Sequence, residues 1–231
     1  MKKVMSFCSL ILVLALLGGC ALTRPEFRDE TPYTLDNAVV SSIFHRDKDE
    51  TLRAVASITL RQAPDIQQSR RVALAVRYPS HLRVEALPAA FGVPDFFFTL
   101  NDGVFKALIP SRGKLYRGQA TRNRLFSYFT LDLEPREAIA LMSGIPPAAG
   151  NSANDLNLQS FRTSRGEYRL ELLSRKGLQL QSLRLDSYYR LIELEVFDSK
   201  GRLRYRAWFS HHETESIDSR PRQISIVMAD Q

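Results

Sequence analysis

The densest group of side chains able to bind a metal or carry a proton is His211-His212-Glu213. On a strand, successive side chains point to opposite faces, so only His211 and Glu213 could act together. A zinc-protease helix would need HExxH, and a structural zinc site a second closely spaced pair of ligands; neither pattern occurs. The sequence pattern assigns His45 and Asp218 to no acid–base motif, and there is no GxSxG elbow, P-loop or GxGxxG. The residues assign no catalytic group, no metal and no cofactor, and the chain reads as a non-enzyme.

The remaining reactive group is a thiol. Lys2 and Lys3 precede an almost wholly apolar run over residues 4–17. That run is shorter than the roughly 20 residues of a bilayer span but suits a signal-peptide core. It closes on Leu17-Gly18-Gly19-Cys20, which resembles the lipobox of bacterial lipoproteins, with small residues before the cut and a thiol that accepts a diacylglyceryl group. The expected organisation is a signal peptide over 1–19, a lipidated tether over 20–33, and one domain over 34–231. Cys8 leaves with the signal, so the mature chain keeps Cys20 alone and cannot form an internal disulfide. Ala21, which is not aspartate, points by the enterobacterial sorting pattern to the periplasmic side of the outer membrane.

Cleavage leaves 231 − 19 = 212 residues and lowers the formal net charge from +7 to about +5 as Lys2 and Lys3 leave. Arginine dominates the positive charge and is spread along strands. Nucleic acid would require a concentrated basic stripe, so it is not an expected partner. A solvated outer face is the preferred account of the arginines, with a contact to anionic headgroups as the alternative.

Residues 87–94, Leu-Pro-Ala-Ala-Phe-Gly-Val-Pro, join two predicted strands yet hold almost no polar atoms. Connections normally run over the surface and are polar. Either this one folds back onto the core, or it projects as an apolar hook for a membrane or an acyl chain. Pro88, Phe91, Gly92 and Val93 are the candidate hook residues, with Phe91 as the tip.

The hydrophobic pattern places the rest. Helical spacing predicts a helix over 34–53, capped by Thr34 or Asp36, and two more over 121–129 and 135–142. Pro135 suits the first turn of the last helix and Gly144 its stop. Period-two alternation predicts strands over 54–61, 71–78, 82–87, 95–100, 104–109 and 114–118, and again over 156–163, 167–174, 178–186, 188–198, 202–210 and 223–228. Asn101-Asp102-Gly103 is a strong hairpin signal. The fold class is α+β: a strongly curved antiparallel sheet, a half-barrel of about eleven strands, with helices covering the concave face and an apolar cavity between the layers. Strand parity and helix face make Ile58, Leu60, Leu74, Val76, Val84, Leu141 and Met142 the cavity candidates.

Four features in order resemble the LolA/LolB superfamily, and its LolB-type outer-membrane lipoproteins most closely. They are the lipobox, the Pro-apolar-Gly connection at Pro88 and Phe91-Gly92, the segment Ile139-Ala140-Leu141-Met142-Ser143-Gly144-Ile145-Pro146-Pro147, and residues 208–225, where an aromatic strand leads through a polar loop to another strand. Phe91 stands where LolB-like proteins carry a projecting leucine, with Ala89 and Ala90 inserted, and the chain stops soon after its last predicted strand. The resemblance implies a membrane-anchored protein that binds acyl chains in an apolar cavity, receives lipoproteins from a periplasmic LolA-like carrier and helps insert them into the outer membrane. A carrier of another lipid or glycolipid on the same fold, or a structural envelope-assembly lipoprotein without a ligand, are the alternatives.

Overall fold

Period-two alternation is realised as two antiparallel sheets, linked by short helices. The computed structural model describes residues 29–44, 51–62, 66–88, 94–129, 132–149 and 156–229. Strands β2 (Thr51–Gln62), β3 (Ile66–Arg77), β4 (His81–Ala86), β5 (Phe97–Asn101), β6 (Val104–Ile109) and β7 (Lys114–Gln119) form a six-stranded sheet in chain order. The seven-stranded sheet has β1 (Glu30–Pro32) at one edge. Beside it, in order, lie β8 (Leu156–Thr163), β9 (Tyr168–Ser174), β10 (Gln179–Leu185), β11 (Leu191–Phe197), β12 (Leu203–His212) and β13 (Pro221–Met228). Helix α1 (Asn37–Phe44) follows β1, while α2 (Arg122–Phe129) and α3 (Pro135–Met142) lie between β7 and β8.

The single curved sheet of about eleven strands is thus corrected to thirteen strands in two ladders among the described residues. Adjacent antiparallel strands joined by tight turns propagate a ladder, and the helical crossover from β7 to β8 interrupts it. The helix expected over 34–53 is also shorter. Asp36 caps α1, its carboxylate accepting from the Ala38 N–H at 2.7 Å, but α1 ends at Phe44 and residues from Thr51 onward are already strand. There Leu52, Ala54, Ala56 and Ile58 alternate with exposed neighbours and pair with β3, so tertiary ladder bonds override helical spacing.

Other local signals map directly onto structure. Asn101 pairs with Val104 across a two-residue turn in which Asp102 and Gly103 both take positive φ, 46° and 78°. Pro135 opens α3 behind Glu134, and the Glu137 side chain reaches back to the Glu134 N–H at 2.8 Å, completing a capping box. Gly144 ends that helix at φ 72°, where a Cβ would meet Pro221 Cδ at 2.6 Å. The strand expected from 188 begins at Leu191, because Asp186 accepts from the Tyr188 and Arg190 N–H groups and holds a turn with Tyr189 at φ 62°.

Each sheet buries one face. In the seven-stranded sheet Leu170, Leu183, Leu194 and Ala207 form a cross-strand row, all fully buried, and Leu35 and Ile43 beside and on α1 pack into the same cluster. In the six-stranded sheet Val72, Val76, Val84, Phe98 and Leu100 pack with Leu125 of α2. Helix α3 serves both: Ala138 and Leu141 enter the first cluster and Ile139 the second. Both clusters draw on residues from Leu35 onward, inside the compact unit Thr31–Gln231, which therefore carries its own core.

Candidate acyl-chain surface

The inner face of the six-stranded sheet is apolar across its width, but its cover is uneven. Val72, Val76 and Val84 are buried under α2 and α3, whereas Leu52, Ala54, Ala56 and Ile58 on the edge strand β2, and Leu74 on β3, stay half-buried. Their partners are in register, Leu52 opposite Val76, Ala54 opposite Leu74 and Ala56 opposite Val72. The result is an apolar strip that continues the core outward, with Met142 of α3 half-buried against the same cluster. Such a strip can take up hydrocarbon at about 0.8 kcal/mol per methylene removed from water.

The predicted residues differ in cover and in the cluster they join. Ile58, Leu74 and Met142 belong to the half-buried rim, while Val76 and Val84 sit in the packed interior of that same cluster. Leu141 is fully buried in the other cluster, against the seven-stranded sheet. Leu60 lies in β2 opposite Gln68, and its side chain is outside the described residues, as are Cys20, Phe91, Gly92 and Val93. Pro88 is half-buried where the apolar connection leaves β4. Of Phe96, Phe97 and Phe98, only Phe98 is buried, and Phe97 faces the other side of β5.

What pins α3 over this surface was not visible in the sequence. Arg204 of β12 donates to both oxygens of Glu137, at 2.8 and 3.0 Å, and to the Asp132 carbonyl at 3.3 Å. Arg122 at the start of α2 pairs with the Asp132 carboxylate. The Arg204 contacts join residues 67 or 72 positions apart, beyond any local pattern. The Tyr189 hydroxyl donates to Tyr168 at 3.3 Å, and that bond together with burial pushes the Tyr189 phenol up to about 12. His211 is exposed at φ 57°, with Nδ1 3.1 Å from Ser210 Oγ, and Glu213 instead faces Arg222 at 3.3 Å. Among the described residues no group of three or more His, Cys, Asp or Glu side chains is placed to hold a metal ion.

The two outer faces differ in charge. On the seven-stranded sheet Arg184 bonds Glu193 at 2.7 Å and Glu167 at 3.0 Å, Arg169 pairs with Glu171, and Arg206 pairs with Glu195 and, at 3.3 Å, with Glu193. On the six-stranded sheet a groove of about 510 Å³ opens instead, with Arg77, Arg83, Lys106 and Arg117 around Thr99 and Asn101.

No family model matches the chain, and no curated protein matches its sequence. Solved structures do match its fold. A LolA superfamily protein from Nitrosomonas europaea aligns with a TM-score of 0.53 at 15% identity, over 86% of this chain and 88% of that one. An outer-membrane lipoprotein-sorting protein domain from Vibrio parahaemolyticus aligns with a TM-score of 0.50 at 13% identity, over 77% of this chain and 78% of that one. This mostly-β chain of two antiparallel sheets and a few short helices has a LolA-like fold.

Proposed function

We propose that the chain is a lipoprotein, anchored through Cys20 on the periplasmic side of the outer membrane, that binds acyl chains without catalysing a reaction and helps insert lipoproteins arriving on a LolA-like carrier. The observation that carries this reading is the apolar strip of Leu52, Ala56, Ile58 and Leu74, left half-covered on the inner face of a LolA-like fold. Shielding about eight methylenes there would contribute about 6 kcal/mol before the entropy of association, enough to compete with a carrier yet less than a bilayer offers a whole triacylated anchor. Pro88, Phe91, Gly92 and Val93 form the hook that touches cargo or membrane, and Ile58, Leu74 and Met142 are the first contacts for the chains. The test is native mass spectrometry of residues 21–231 with a triacylated lipopeptide. A one-to-one complex displaced by free fatty acid, and weakened by Ile58→Asp, is the expected result. A folded, monodisperse sample that takes up no lipopeptide would remove acyl binding and leave an envelope-assembly role.

A further inference from the structure

The strands β2 to β7 carry nine Lys or Arg residues and one acid, Glu85. Register turns part of that excess into a line. Arg53 lies opposite Ala75, Ala75 opposite Arg83, Arg83 opposite Thr99, Thr99 opposite Lys106, and Lys106 opposite Arg117. Four exposed cations therefore share one cross-strand row on the outer face, three of them in direct succession across β4 to β7 but for Thr99. Glu85 pairs with Arg83; Arg53, Lys106 and Arg117 have no ion-pair partner among the described residues. Lys106 and Arg117 are direct cross-strand neighbours, an arrangement that repels unless an anion intervenes. The seven-stranded sheet shows that this chain can match outward arginines with carboxylates; on the six-stranded sheet Arg83 has Glu85 and Arg70 has Asp95 at 3.5 Å, but Arg53, Lys106 and Arg117 have none among the described residues.

The next row on the same face is apolar. Val55, Ala73, Glu85, Phe97, Leu108 and Leu115 are in register, interrupted only by Glu85, and Val55 and Leu115 are 63% and 66% exposed. The two rows are two residues apart along each strand, about 7 Å. The apolar row lies at the end of the sheet where the connection of residues 87–96 begins and ends: Leu87 N–H donates to the Arg71 carbonyl at 2.8 Å and Ala86 N–H to the Phe96 carbonyl at 3.0 Å.

We infer that the outer face of the six-stranded sheet docks on an anionic phospholipid bilayer, with Val55, Leu108 and Leu115 at the acyl boundary and Arg53, Lys106 and Arg117 on the headgroup phosphates. A bilayer presents these two chemistries in this order, phosphate outside hydrocarbon, over a depth of about 5–10 Å, which matches the row spacing. An acidic protein would satisfy the cations but would leave no reason for large apolar side chains one row nearer the end of the sheet. This face lies opposite the acyl-binding strip and does not depend on that reading; it adds a second, electrostatic contact that would fix how the protein sits on its membrane.

The test uses residues 29–231, which contain both hydrophobic clusters and no cysteine, so neither a signal segment nor an acyl anchor contributes. Partition is measured onto vesicles of phosphatidylcholine alone and with 30% phosphatidylglycerol (a composition on the order of bacterial anionic content), at low and high salt. Binding is expected to the anionic vesicles only, to fall with salt, and to drop roughly a hundredfold in Arg53→Glu/Lys106→Glu/Arg117→Glu. The control Arg165→Glu/Lys176→Glu/Lys200→Glu removes the same net charge from exposed turns elsewhere and should partition far better than the face variant, and Leu115→Asp should weaken binding with the cations intact. All three variants alter exposed residues, so unchanged melting confirms folding. No preference for anionic vesicles, equal loss in the two triple variants, or binding to soluble polyglutamate as tight as to vesicles would each overturn the proposal. Vesicle binding and lipopeptide binding are read separately, so either can fail alone.

Discussion

Glu137 and Arg204 form a two-pronged ion pair, 67 residues apart in sequence, whose side chains are 13% and 15% exposed. The same Glu137 carboxylate closes the capping box of α3 by accepting the Glu134 N–H. One acid thus terminates the helix electrically and ties it to β12, holding Ile139 against one sheet and Leu141 against the other. Removing one partner leaves a largely buried charge without its counterpart. Arg204→Met is expected to destabilise the protein by about 3 kcal/mol, and adding Glu137→Gln to recover part of that loss. Urea denaturation of the two single variants and the double variant measures the coupling; additive losses would mean that the pair does not act as a unit.

Gly144 and Gly166 have similar positive φ, 72° and 79°, and different surroundings. A Cβ on Gly144 would sit 2.6 Å from Pro221 Cδ, whereas one on Gly166 meets nothing within 4 Å. Gly166→Ala should therefore cost about 1 kcal/mol from backbone strain alone. Gly144→Ala should cost about 1–3 kcal/mol more, because β13 must shift away from the end of α3. Equal losses in denaturant titrations would show that the contact relaxes freely.

The Asp198 carboxylate accepts the N–H groups of Arg202 at 2.9 Å and Lys200 at 2.8 Å, and the Arg202 guanidinium at 2.8 Å, which lowers its pKa to about 2. A carboxyl depressed on folding stabilises the turn above its ordinary pKa near 4 and loses that contribution as pH falls toward 2. Asp198→Asn is expected to melt below the parent at pH 5–6 and to converge with it near pH 2. A constant gap in melting temperature across that range would exclude the linkage.

Acyl binding and stability should separate by position. Leu141 is fully buried, so Leu141→Ala is expected to lose about 3 kcal/mol of stability with lipopeptide affinity kept once folded. Ile58→Asp should do the reverse, lowering affinity at least about tenfold with a stability change within about 1 kcal/mol. Phe91→Glu is expected to abolish lipoprotein transfer while the melting temperature stays nearly constant; a fall of several degrees would place Phe91 in the core instead.

Much of the local structure was legible in advance because its causes are local. The Asn101-Asp102-Gly103 turn, the span of α3 from Pro135 to Met142, the strand of residues 156–163 and the inward parity of Val72, Val76 and Val84 all follow from backbone preference and period. The helix expected over 34–53 does not extend to its predicted end, because residues 51–53 gain ladder bonds from β3, a partner that helical spacing cannot register. Ile58, Leu74, Val76 and Val84 all face the inner side of the sheet, as parity predicts, but parity carries no information on cover. That is why Val76 and Val84 proved to be packed interior while Ile58 and Leu74 remained at the rim.

The sequence by itself determined most of the secondary elements, the inward face of strands such as β3 and β4, and the lack of any recognised catalytic or metal-binding motif, since residue type and spacing suffice for those. Only the tertiary structure decided that the ladder breaks between β7 and β8, that α3 packs into both clusters, and that Arg204 finds Glu137. It also decided the meaning of the arginines. Along the chain they look evenly spread, but charge acts through space: register sets Glu193 beside Arg184 and Glu195 beside Arg206, and brings Lys106 beside Arg117 with no carboxylate between.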